Sequence, residues 1–144
     1  MSKLDEFLAG ERLEDVALYL THDYLDEGGR IANYGEDLAD GVVLVVSGDD
    51  GRGMFSAGTG MDAMEFAQSA MGEGGEIHAD LAGGECPAAE AEPEEDHGVK
   101  FVFAFAEAQN EEVGGLYAEG DVIHAYAQCE CGERYSDRWV TGTR

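Results

Sequence analysis

Residues 99–107 read VKFVFAFAE, with phenylalanine at 101, 103 and 105 and small or branched residues between. Period two marks a strand, because successive side chains leave a pleated chain on opposite faces. Three further segments, 113–117, 121–129 and 134–140, carry β-branched and aromatic residues, and AEGD at 118–121 is a hairpin signal. Short connections favour antiparallel neighbours, so the last third predicts a four-strand meander. Upstream, GVVLVV at 41–46 has the length and branching of a buried strand. SGDDGRG then predicts a turn and GMFSAG a returning strand, which makes an N-terminal hairpin.

Helical spacing appears elsewhere. Ser2 is placed to cap a short helix over 2–9, which Gly10 ends. Leu13, Val16, Ala17, Leu20 and Tyr24 recur as one face of a second helix starting near Glu11. RIANYGEDLADG, 30–41, predicts a third short helix. Thr59 with Asp62 forms a capping box for a helix whose face is Ala63, Phe66, Ala67, Ala70 and Met71, stopped by Gly72. Residues 83–98 hold both prolines, six acids and no bulky apolar residue, which predicts an acidic mobile loop.

The expected fold is therefore a single α+β domain over 1–144. It has a mainly antiparallel sheet of about five to six strands, an N-terminal hairpin plus a C-terminal meander, and about three to four helices. Over residues 30–129 the order α-β-β-α-β-β-β resembles profilin-like folds such as the roadblock and longin domains. That resemblance implies a docking or dimerising platform rather than an enzyme.

Charge changes the picture. The chain carries 32 acidic and 8 basic residues, for a formal charge of −24, and its only lysines are Lys3 and Lys100. An apolar fraction of 44% argues against disorder as the reason. In dilute buffer such a surface repels itself, whereas at molar salt the Debye length falls to about 3 Å. The acids are spread along almost the whole chain rather than gathered in a tail. This reads as a salt-adapted cytoplasmic protein. MSKLDEFLAG has an acidic pair where a secretion signal runs apolar, and GVVLVVSG is too short to span a bilayer, so no membrane association is expected.

GMDAMEFAQSAMG, FVFAFAEAQNEEVGGLYAEGDVIHAYAQCECG and YSDRWV resemble a small family of haloarchaeal proteins whose domain has no known function. The resemblance covers nearly the whole chain, supports the halophilic reading and brings no catalytic residues.

Few motifs carry chemistry. GTGMDA at 58–63 fits a dinucleotide pattern, but Asp62 in the first helical turn opposes a pyrophosphate, so a capped helix entry is favoured. Asp49 and Asp50 in SGDDGRG lack the remaining spacing of a calcium loop. Ser56 lacks the glycine of a nucleophile elbow. No catalytic residue is assigned. Nucleic acid is an unexpected partner at a charge of −24. The stretch 132–144 alone has a positive balance. Within it, Arg134 and Arg138 share one strand face and Tyr135 and Trp139 the other. These four read either as a last strand packed on the sheet or as a docking patch for an unidentified protein partner, and a homodimer is compatible with the second.

The three cysteines are Cys86, Cys129 and Cys131. With one of His22, His78, His97 and His124 they would make a zinc set, and Cys-x-Cys-Gly resembles one knuckle of a zinc ribbon at shorter than usual spacing. In a four-strand meander, however, Cys129 and Cys131 lie at the end of the sheet opposite His97, and His124 points away from Cys129. Only Cys86, on a long loop, is placed to reach. The favoured expectation is thus reduced, metal-free thiols beside a turn, with surrounding acids raising their pKa. A metal set and a redox pair stand as alternatives. The functional reading is a non-enzymatic protein-binding or regulatory module with no cofactor. The alternative is a thiol- or zinc-dependent protein acting through Cys129 and Cys131.

The charge makes one testable statement. Circular dichroism from dilute buffer to molar potassium chloride is expected to show native structure and melting temperature rising with salt. Full structure with unchanged melting in dilute buffer would remove the salt-adapted reading.

Overall fold

The structure, a computed structural model, describes residues 3–12, 14–21, 36–37, 41–72, 74–78, 81, 84–87, 99–110 and 112–141. The elements in chain order are α1 (Lys3–Leu8), β1 (Asp15–Thr21), β2 (Glu36–Asp37), β3 (Gly41–Ser47), α2 (Gly48–Thr59) and α3 (Ala63–Ala70). There follow β4 (Glu76–Ile77), β5 (Gly84–Glu85), β6 (Val99–Glu107), α4 (Leu116–Glu119), β7 (Val122–Cys129) and β8 (Arg134–Val140). Five long strands and the two-residue β2 form one antiparallel sheet in the order β2-β3-β1-β6-β7-β8. β4 and β5 pair separately. The α+β class, the six strands of the main sheet and the four helices among the described residues agree with the sequence reading; the parts that make them up differ.

The helix expected from Glu11 is strand β1. All of Val16 to Leu20 is buried, with Ala17 and Tyr19 in one apolar cluster and Val16, Leu18 and Leu20 in the other. A strand covered on both faces reads as an unbroken apolar run, which fits helical spacing equally well. Leu13 and Tyr24 lie outside the described residues. Of the third expected helix, 30–41, residues 36–37 are strand β2, Gly41 opens β3, and the remainder lies outside the described residues.

The returning strand GMFSAG is instead part of helix α2. Ser47 caps that helix by accepting from the Asp50 amide at 3.3 Å, and Gly60, with φ 78°, ends it. The hairpin is β3 with β1, paired from Asp15–Ser47 to Thr21–Gly41. Helix α3 forms where expected, but Asp62 caps it, accepting from the Glu65 amide at 3.0 Å. The strand expected at 113–117 is also absent, since its place is taken by turns and α4. Among the described residues of 30–129 the order is β2-β3-α2-α3-β4-β5-β6-α4-β7. The C-terminal meander has three strands, β6, β7 and β8.

Helices α2 and α3 cover one face of the sheet. Phe55 and Phe66 stack at 5.3 Å and meet Phe101 and Phe103 of β6 at 5.2–5.5 Å. Each such ring pair is worth about 0.5–1.5 kcal/mol beyond its buried area. The other face is built from small residues: Ala17, Ala104, Ala106, Ala125 and Ala127. Phe7 of α1 covers it together with Ile77, Leu81 and Cys86.

Two glycines of α2 explain why it does not read as a helix. A Cβ at Gly51 would stand 2.1 Å from Val16 Cγ2, so the helix approaches β1 only because that atom is missing. A Cβ at Gly53 would meet nothing within 4 Å. Gly51→Ala is expected to destabilise the fold by about 1–3 kcal/mol through overpacking. Gly53→Ala is expected to stabilise it by about 0.5–1 kcal/mol through helix propensity. Urea unfolding of the two variants checks both signs.

Candidate metal centre

Strand β7 ends at Cys129, and a tight turn returns the chain into β8. The Gly132 amide donates to the Cys129 carbonyl at 3.0 Å, and the Cys129 amide to the Glu133 carbonyl at 2.8 Å. Gly132 sits at φ 99°, which a side chain rarely adopts. The turn folds Cys131 back against the alanine-rich face. There the Cys131 backbone N–H donates to the Cys129 sulfur.

Cys86 arrives from a different part of the chain. It follows β5, whose pairing with β4 runs Glu76–Glu85 and Ile77–Gly84. The segment is tied to β8 by two contacts: the Gly75 amide donates to the Ser136 carbonyl at 3.0 Å, and the Ile77 amide to Asp137 Oδ2 at 3.0 Å. Cys86 and Cys129 are buried, and Cys131 is half-buried. The sulfurs of Cys86 and Cys131 are 3.7 Å apart, and all three sulfurs lie within 4.8 Å of one another.

This convergence overturns the geometric objection raised by a four-strand meander. Without a strand at 113–117, β7 runs antiparallel beside β6, and Cys129 pairs directly with Val99. A β-bulge between Val99 and Phe101 turns Val99 onto the face that carries Cys129. The cysteine turn and the start of β6 therefore share one end of the sheet. Cys86 is buried between the exposed Glu85 and Pro87; residues 83 and 88–98 of the expected acidic loop lie outside the described residues. His124 lies on the opposite face, stacked on Phe105, and among the described residues no histidine or carboxylate joins the three sulfurs. His22 and His97 lie outside the described residues.

Burial pushes the Cys129 thiol up to about 12, with the neighbouring Cys131 and Cys86 thiols adding to the rise and the Cys131 backbone N–H opposing it. The cause is desolvation and not the acidic surface. At neutral pH Cys129 is a protonated thiol and a poor nucleophile. A cation that can displace the proton changes that, because soft thiolates are favoured metal ligands.

Tyr135 of β8 borders the cluster. It is fully buried, and its hydroxyl finds no hydrogen-bond partner among the described residues. Its pKa is raised by burial first, then by proximity to Cys129, Cys86 and Cys131. A Cβ at Gly84 would stand 2.6 Å from the hydroxyl oxygen, so only glycine leaves it room. Sequence reasoning did not connect Tyr135 with the cysteines. The signal was there: 135 and 129 share a strand face once β7 and β8 are paired.

The four residues of the expected docking patch separate. Tyr135 and Trp139 are buried on the alanine-rich face. Arg134 is committed to the fold: it donates to Gln128 Oε1 at 2.7 Å, Ser69 Oγ at 2.9 Å and Met61 Sδ at 3.2 Å, and lies over the Phe66 ring. Arg138 alone of the four is exposed.

Residues 35–142 match the model of DUF5807, a family of unknown function, and the chain belongs to that family. No curated protein and no solved structure matches it. No helix among the described residues is long and apolar enough to cross a membrane.

An unsatisfied buried hydroxyl weakens a fold, since its desolvation is not recovered. Tyr135→Phe is therefore expected to raise the stability of the metal-free protein by about 1 kcal/mol. Thermal unfolding in the presence of a chelator measures it, and a loss of stability would reveal a partner for the hydroxyl.

Proposed function

We propose, for this member of a family without a known activity, that Cys86, Cys129 and Cys131 hold one zinc ion and that the chain works as a zinc-stapled, non-enzymatic binding module. The observation that carries the reading is the convergence of three sulfurs from two separate segments within 4.8 Å. With zinc–sulfur bonds of about 2.3 Å, two sulfurs on a tetrahedral edge stand about 3.8 Å apart. The Cys86–Cys131 separation of 3.7 Å fits that edge and is far longer than a disulfide bond of about 2.0 Å. Three protein sulfurs leave the fourth zinc position for a further ligand.

Zinc in this place would be a cross-link. Cys86 and Cys131 are 45 positions apart. Closing such a loop removes unfolded-chain entropy worth on the order of 4 kcal/mol. The beneficiary is the stretch that carries β4, β5 and Leu81, whose strands have only two residues each. We also read the chain as salt-adapted and cytoplasmic, because its charge of −24 is spread along almost the whole sequence and its three cysteines form no disulfide. The same charge disfavours nucleic acid, and a protein partner or a second copy is the expected company for the module.

Elemental analysis of protein purified without chelator is expected to find about one zinc per chain. Cys131→Ser, at the least buried of the three, is expected to weaken zinc binding by more than the roughly tenfold to hundredfold that losing an outer-shell partner costs. Chelator is expected to lower the melting temperature of the parent and not of the variant. Protein that holds no metal and melts identically with and without chelator returns the cluster to three buried thiols.

A further inference from the structure

On the other face of the sheet, away from the sulfurs, a groove of 970 Å³ runs between α3 and strands β6, β7 and β8. That volume suits a small organic molecule. Its floor is an aromatic row. Phe105 and His124 are cross-strand partners whose rings stack at 5.1 Å and 25°, and Tyr126 stacks on Phe105 at 5.9 Å and 27°. Its opposite wall is the outer side of α3, where Met64 and Met71 stand 45% and 63% exposed. Two open methionines beside an aromatic floor leave a slot between flexible thioethers and the edges of the stacked rings, an arrangement that favours a flat guest held edge-to-face.

The polar groups fix the guest's charge. His124 is the cross-strand partner of Arg138, so Phe105, His124 and Arg138 form one row across three strands. His124 Nε2 is engaged on the far side of the groove, with the Tyr117 hydroxyl at 2.9 Å and Glu107 Oε1 at 3.1 Å. Burial lowers the pKa of His124, opposed by Glu107 and assisted by Arg138, which favours the neutral ring. Arg138 is different. In a chain with 32 acids, Arg12 bridges Glu6 and Asp15, and Arg52 bridges Asp49, yet no described carboxylate bridges Arg138. The adjacent Asp137 spends its oxygens on the amides of Ile77 and Arg138 itself. Glu107 stands two strand spacings from Arg138, about 10 Å across the sheet. The groove is thus polar at both ends, acidic at one and cationic at the other, with the aromatic row between.

We propose that this groove binds a planar aromatic carboxylate, its ring between the methionines and the Phe105–Tyr126 row and its carboxylate on the guanidinium of Arg138. One guanidinium matches one carboxylate in a two-bond fork. A dianionic phosphate would face Glu107 and the −24 surface with only half its charge met.

The probe is 2-naphthoate, titrated by fluorescence at the salt concentration where circular dichroism is fully native. Its neutral and cationic analogues, 2-naphthalenemethanol and 2-naphthylmethylamine, are titrated beside it. Naphthoate is expected to bind at least about tenfold more tightly than the neutral analogue and the amine most weakly. Carbon-13 methyl spectra are expected to shift at Met64 and Met71 first. Arg138→Gln is expected to bring naphthoate down to the affinity of the neutral analogue while leaving the latter unchanged, and Met64→Glu to weaken both. No binding of naphthoate, equal binding of the amine, methyl shifts elsewhere, or an Arg138→Gln protein with undiminished affinity for naphthoate each overturns the proposal.

Discussion

Strands that are apolar on both faces must find two covers, and the two covers here are of unequal strength. Strands β1, β6 and β7 are buried on both sides, so every second residue faces one cluster and the alternate residues the other. Two helices and a knot of phenylalanines close the first side. The second is closed by one turn and a half of helix and by a thin stretch whose two strands are two residues long. A pair of such strands has little stability of its own. Leu81 within that stretch even holds a left-handed backbone, φ 65°, which costs about 1–2 kcal/mol. Its fully buried side chain offsets that strain. The convergence of Cys86 on Cys129 and Cys131 falls where this weaker cover meets the sheet.

How much of this is legible in the sequence follows from the same asymmetry. Strand β6 shows itself because its phenylalanines and alanines alternate between a face that needs bulk and a face that needs closeness. Strand β1 hides because both its faces are apolar, which erases the period. Helix α2 hides because Gly51 is demanded by contact with Val16 and not by any turn. The three cysteines are legible as a candidate metal set, and what set them aside was one error upstream. A strand drawn over VGGLY reversed the direction of β7 and sent Cys129 to the wrong end of the sheet. Two adjacent glycines in a five-residue run, with φ 80° and 59° at Gly114 and Gly115, argue against a strand there.

The stretch from Gly74 to Pro87 also links the two faces. Gly74 and Gly75 line the end of the groove, while Ile77 and Cys86 cover the alanine-rich side. Strand β8 stands between them with the same division of labour, Tyr135 and Trp139 inward on one face, Arg134 and Arg138 on the other. Because the Gly75 and Ile77 amides both bond to β8, a shift of this stretch would be felt on both sides of the sheet.

The place of β1 in the sheet sets an order of events during synthesis. β1 pairs on one side with β3, which follows soon after, and on the other with β6, joining Leu20 to Phe101 and Val16 to Phe105 across more than eighty positions. Until the ribosome has released Phe105, the hairpin carries an apolar strand with one row of backbone groups unmet. Such an edge is a template for pairing with another nascent chain. Closing so distant a contact is slow by the usual relation between topology and rate. Strand β8 follows later still and brings the tyrosine and tryptophan that seal the second face, so the sheet is exposed to misassembly until that strand has emerged.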